Sequence, residues 1–94
     1  MSQVEKWEKI ERELRAAYRL LSKNVLESDY GYRESDFLCF IEANELLLAM
    51  EVLDGVIEDN PSPGREFWMH LLKAAELMEQ PHANHYKSIL TSTT

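Results

Sequence analysis

Apolar residues fall into three long runs at helical spacing, separated by two breaks. Val4, Trp7, Ile10, Leu14, Ala17, Tyr18, Leu21 and Val25 recur three and four residues apart, which predicts a long first helix. Ser2 with Glu5 three residues later forms a candidate capping box at its start. The outer face carries Glu5, Glu8, Lys9, Arg12, Arg15 and Arg19. From Leu26 to Glu34 the period fails, and Ser28-Asp29-Tyr30-Gly31-Tyr32 has the composition of a turn. A second helix is expected from about Asp36 to Glu58, with Gly55 as a weak point, ended by Asp59-Asn60-Pro61-Ser62-Pro63-Gly64. Ser62 and Pro63 read as the N-cap and first turn of a third helix, whose inner face is Phe67, Trp68, Leu71, Leu72, Ala75 and Met78. Gln80-Pro81 closes it, a short turn at 84–90 offers Tyr86, Ile89 and Leu90, and 91–94 reads as a frayed tail. No strand pattern competes. The expected fold is all-α: one domain over 1–94, an antiparallel three-helix bundle with a short C-terminal helix.

On a wheel drawn at about 100° per residue, Leu38, Ile41, Leu48, Ala49, Val52, Leu53 and Val56 of the second helix share the inner side. Asn44, Glu51, Asp54 and Glu58 lie opposite, and Phe40 and Leu47 fall among them. These two either pack under a neighbouring element or act as apolar anchors in an acidic binding stripe. Glu45 lands on the inner side, where a carboxylate needs a partner from Arg12, Arg15, Arg19 or an indole N–H.

Charge is divided unevenly along the chain. Residues 1–25 hold six basic and four acidic side chains, and 61–94 hold three of each. Residues 26–60 hold ten carboxylates against Arg33 alone, a net of −9 in a chain whose total is −7. Such a field repels phosphate, which argues against nucleic acid as a direct ligand, and it steers a basic protein instead. Like charges at 51, 54 and 58 share one helix face, and Asp29, Tyr30 and Tyr32 of the turn lie next to that region in sequence. Glu51, Asp54, Glu58, Asp29, Tyr30, Tyr32, Phe40 and Leu47 are therefore the candidate partner-binding residues.

Specific chemistry is sparse. The chain has no P-loop, dinucleotide turn, His-Glu-x-x-His helix or Cys-x-x-Cys pair, so no cofactor is expected. His82 and His85, at i, i+3 spacing, have no evident third metal ligand, and His70 has no evident nucleophile or orienting acid. No enzyme mechanism suggests itself. The single cysteine, Cys39, excludes an internal disulfide and fits a reducing compartment. The N-terminal residues lack a signal pattern, and no apolar run is long enough for a membrane span. A cytoplasmic protein, monomeric when free, is the expectation.

Asn44-Glu45-Leu46-Leu47-Leu48-Ala49-Met50-Glu51-Val52-Leu53, preceded by Asp36-Phe37, resembles the corresponding segment of MafI-like immunity proteins. These helical bacterial proteins accompany polymorphic and contact-dependent growth inhibition toxins, including those with EndoU-type nuclease domains. The likeness runs over about residues 36–78. It implies a chain that binds and neutralises the cytotoxic domain of a cognate toxin, and an acidic partner suits a nuclease whose substrate surface is basic. The turn 28–32 is similar to the acidic, tyrosine-bearing recognition segment of colicin DNase immunity proteins. It precedes the central helix here, so none of those roles is carried over. An acidic helical adaptor or secretion chaperone is the alternative, separable by whether the chain is an obligate dimer.

Overall fold

A computed structural model describes residues 3–92. The first apolar run forms α1, Gln3–Arg19, with Ile10, Leu14 and Ala17 buried on one stripe. It ends at Arg19 and does not continue to Val25. Leu20 and Leu21 donate back to the carbonyls of Ala17 and Tyr18 at 3.0 and 3.1 Å, tightening the last turn, and Ser22 Oγ takes the Asn24 N–H at 3.1 Å. Short polar side chains that offer the backbone another partner end helices this way. Ser2 of the expected capping box lies outside the described residues.

The expected single helix over 36–58 is three pieces: α2, Glu34–Glu42, α3, Leu46–Asp54, and a 3-10 turn, Gly55–Glu58. Asn44, at φ 58°, adopts the left-handed conformation. Its N–H donates to Ile41 O at 3.1 Å, and the Glu45 N–H donates to Phe40 O at 2.8 Å. This pair of bonds is a Schellman ending, which satisfies carbonyls that a helix end leaves open. Asparagine tolerates the left-handed region better than other residues with a β-carbon, so the turn forms there.

That break resets the helical phase, and the inner face differs from the one a continuous wheel gives. Ile41, Ala49, Leu53 and Val56 are buried as expected. Leu48 is 42% exposed and Leu38 36% exposed, whereas Val52 is half-buried. Phe37, Leu46 and Met50 are buried in their place. Glu45 is exposed at the start of α3, where its carbonyl accepts the Ala49 N–H at 3.0 Å, so it sets no register from inside the core.

The third helix, α4, spans Arg65–Leu77 with Gly64 as N-cap, two residues later than Ser62 would place it. Ser62 instead accepts the Trp68 indole N–H at 2.9 Å, which leaves Trp68 1% exposed without an orphaned donor. Phe67, Trp68, Leu71, Ala74 and Ala75 are buried, with Leu72 and Met78 partly so. A second Schellman ending closes α4: Glu79 sits at φ 56°, and the Glu79 and Gln80 N–H groups donate to Glu76 O at 3.1 Å and Ala75 O at 3.0 Å. Beyond Pro81, α5 spans His82–Ser92, longer than the expected turn, with Tyr86 and Leu90 buried. Thr91 and Ser92 belong to it, while Thr93 and Thr94 of the expected frayed tail lie outside the described residues.

The described residues thus form an all-helical bundle of five α-helices with no strand. α4 lies between α1 and α5, α3 touches both α1 and α4, and α2 folds back against α3. Replacing Glu79 with glycine is expected to stabilise the chain. A left-handed residue with a β-carbon costs about 1–2 kcal/mol, and glycine returns about 0.5–1 kcal/mol of that as lost chain freedom. A net gain of a few tenths to about 1 kcal/mol, read as a higher thermal midpoint, is the outcome that supports the assignment.

Candidate protein-binding surface

The loop between α1 and α2 has no regular structure, yet it is fastened to the segment that follows α3. The Asn60 side chain accepts the Leu26 N–H at 2.7 Å and donates to Leu26 O at 2.9 Å and to Val56 O at 3.0 Å. Ser28 Oγ donates to Asp59 Oδ2 at 2.6 Å. Next to these bonds the two backbones meet at Gly31 and Gly55. A β-carbon on Gly31 would stand 3.0 Å from the Gly55 carbonyl and 2.6 Å from Asp59 Oδ2, and one on Gly55 would stand 3.1 Å from the Gly31 carbonyl carbon. Only glycine lets the two strands of chain lie this close.

Within the loop, the Ser28 N–H donates to Tyr32 O at 3.2 Å, and Arg33 pairs with Asp29. The Glu27 carboxylate accepts the Glu34 N–H at the head of α2. Tyr32 turns inward and is 2% exposed, and burial pushes its hydroxyl well above the ordinary tyrosine range. Tyr30 turns outward and is 97% exposed. Leu26 and Ile57 are also exposed, one in each of the joined segments. The segments therefore present apolar side chains in company with Glu27, Asp29, Glu58 and Asp59, all exposed.

On the α3–α5 side the carboxylates are engaged by the fold. The Tyr86 hydroxyl, fully buried, donates to Asp54 Oδ2 at 2.6 Å. Burial raises the Asp54 carboxyl above its ordinary range, the Tyr86 bond and the His82 and His85 rings draw it back down, and Glu51 pushes it up. Tyr86 is itself shifted up, first by burial and then by its bond to Asp54. His82 Nε2 lies 3.0 Å from Glu51 Oε2. The carboxylate only accepts, so Nε2 carries the hydrogen, and the buried Nδ1 has no partner. His70 is held by Glu13, Nδ1 to Oε1 at 2.8 Å. Among the described residues, no three His, Cys, Asp or Glu side chains assemble as a metal site would need.

The eight residues expected to contact a partner separate into two groups. Asp29, Tyr30, Glu51 and Glu58 are exposed. Tyr32 belongs to the core and Asp54 ties α3 to α5, so neither is free to meet a partner. Phe40 and Leu47 are partly buried and pack against the core, which favours the packing reading of the two over the anchor reading. The helix break also separates Phe40, in α2, from the stripe the wheel drew, whereas Leu47 shares α3 with Glu51 and Asp54. Leu26, Ile57 and the Asn60 clasp were not singled out from the sequence; the paired glycines were the available signal, one in each segment.

Comparisons with protein-family models, with curated proteins and with solved structures find no match for this chain. The local geometry yields two expected outcomes. Gly31→Ala should destabilise the chain by about 1–3 kcal/mol, the usual cost of overpacking, and should increase amide exchange at Leu26, where the clasp opens. Tyr86→Phe removes the donor from a half-buried carboxylate and should cost about 1.5–3 kcal/mol at neutral pH. Because the Tyr86 bond lowers the Asp54 pKa, its contribution is present above that pKa and is lost as pH falls through it. Denaturant titrations of both proteins should therefore converge in acid.

Proposed function

We propose that this chain is a protein-binding module that covers a basic domain with the acidic surface of residues 26–60, and that its partner is the nuclease domain of a toxin. The observation that carries the reading is Tyr30, 97% exposed on a loop fastened at Leu26, Ser28 and Gly31, in a segment of net charge −9. A tyrosine supplies large contact area at small cost in side-chain freedom. Exposed aromatic side chains ringed by charge are what interface hot spots look like before they are covered.

The carboxylates accelerate encounter with a basic surface, and the apolar side chains then slow release. A nuclease must keep a basic face for its substrate, so an inhibitor with this charge competes for the same face. The immunity role is what the resemblance over residues 36–78 adds. It supplies the class of partner, which charge alone leaves open.

The test is co-expression with the nuclease domain of any toxin found encoded in the adjoining genes, together with association and dissociation rates for variants that keep the fold. Tyr30→Ala should raise the dissociation rate at least tenfold and abolish protection. Glu58→Lys should slow association at low salt, with the difference from wild type vanishing at high salt. Wild-type rates and full protection in both variants would rule this surface out.

A further inference from the structure

The end of α1, the loop that follows it and the start of α2 line a cleft of about 390 Å³. Arg19 and Lys23 face it together with Glu27 and Glu34, so two cations and two carboxylates share one space. Among the described residues, no ion pair or side-chain hydrogen bond joins Arg19 or Lys23 to a carboxylate. The carboxylates are instead held by the fold. Glu34 Oε2 takes the Tyr18 hydroxyl at 2.8 Å, and the Tyr18 ring is stacked on Phe37 with centroids 4.9 Å apart. Glu27 Oε1 takes the Glu34 N–H at 3.3 Å. Each carboxylate thus keeps its other oxygen unused among the described residues.

Tyr32 lines the same cleft and is 2% exposed, yet among the described residues its hydroxyl neither donates nor accepts a hydrogen bond. Burial first, and then the charge of Glu34, keeps that hydroxyl protonated. A buried polar group without a partner costs stability, and one that faces a charged cleft can be satisfied by what enters it. The Tyr32 oxygen and the unused oxygens of Glu27 and Glu34 are three acceptors, the number an ammonium group can fill with its three donors. Arg19 and Lys23 are donors for a carboxylate. A lone anion meets repulsion from Glu27 and Glu34 and a lone cation from Arg19 and Lys23, so the lining selects a ligand carrying both signs. Leu21 and Val25, both partly buried, give the cleft an aliphatic wall.

We propose that this cleft binds a small zwitterion, a free aliphatic amino acid or a dipeptide of one, with its ammonium group on Glu27, Glu34 and Tyr32, its carboxylate on Arg19 and Lys23, and its side chain against Leu21 and Val25. The site is a second binding function and does not depend on the basic-partner reading above.

The experiment titrates the intact chain with leucine, glycyl-leucine, 3-methylbutylamine and 4-methylpentanoate and follows the amide shifts. Leucine or glycyl-leucine should shift the amides of Ser22, Val25, Tyr32 and Glu34 saturably. The amine and the acid, each lacking one charge, should bind at least about tenfold more weakly, the loss expected for one charge-assisted hydrogen bond. Tyr32→Phe should keep or raise the melting temperature and weaken the zwitterion by about the same tenfold factor. Lys23→Gln, at an exposed position, should weaken the zwitterion and strengthen the amine. An amine or acid that binds as tightly as the zwitterion would overturn the assignment, as would shifts confined to other parts of the chain or no saturable shift at all. A lowered melting temperature in Tyr32→Phe would mean that the hydroxyl is already partnered within the fold, and unchanged affinity in Lys23→Gln that the cations take no part; either result would overturn the site.

Discussion

Everything in the middle of this molecule follows from a single backbone torsion, the left-handed turn at Asn44. With it, two nine-residue helices fold back on one another where one helix would have run straight. The turn decides which side of α3 faces α1 and α4, and so puts Leu46 and Met50 inside and Leu48 outside. It also brings the end of α3 to the α1–α2 loop, where Gly55 can meet Gly31. A straight helix over 36–58 could not fold its first half back against its second.

The periodic parts of the fold were legible in the sequence because their apolar residues repeat without interruption. α1 and α4 follow the predicted spacing, though α1 stops short of Val25 and α4 starts later than Ser62, and Ile10, Leu14, Phe67, Trp68 and Leu71 are buried. The break at 43–45 was not legible, since Ala43-Asn44-Glu45 contains neither glycine nor proline and each residue tolerates a helix interior. Once the phase was wrong there, errors at Glu45, Leu38 and Leu48 followed together from one cause. The candidate surface was half legible. Charge counting found the acidic segment, but burial of Tyr32 and the Tyr86 partnership of Asp54 depend on contacts with distant parts of the chain. The class of partner proposed above comes from the resemblance alone, and the corner of the molecule proposed to meet it comes from exposure and the loop's hydrogen bonds.

Ten carboxylates in 35 residues repel one another, and the fold gives several of them local work. Glu34 and Asp36 stand in the first turn of α2, where the helix dipole favours negative charge. Asp54 and Asp59 accept from hydroxyls, and Asp29 pairs with Arg33. Glu42, Glu45 and Glu58 remain on the exterior. Their cost is small in water and screened by salt, and it is offset only when a positive surface comes close.

Two tryptophans occupy opposite environments in the same bundle. Trp68 is 1% exposed, edge-on to Phe67 at 5.0 Å and 5.8 Å from the Tyr86 ring, while Trp7 is 38% exposed beside an open groove with Lys6, Ile10, Leu46 and Met78. Their emission should therefore differ in colour, with Trp68 at shorter wavelength and less accessible to a dissolved quencher than Trp7. The native chain carries two intrinsic optical probes: one reports whether α4 and α5 remain joined, and the other reports what arrives at the surface between α1 and the start of α3.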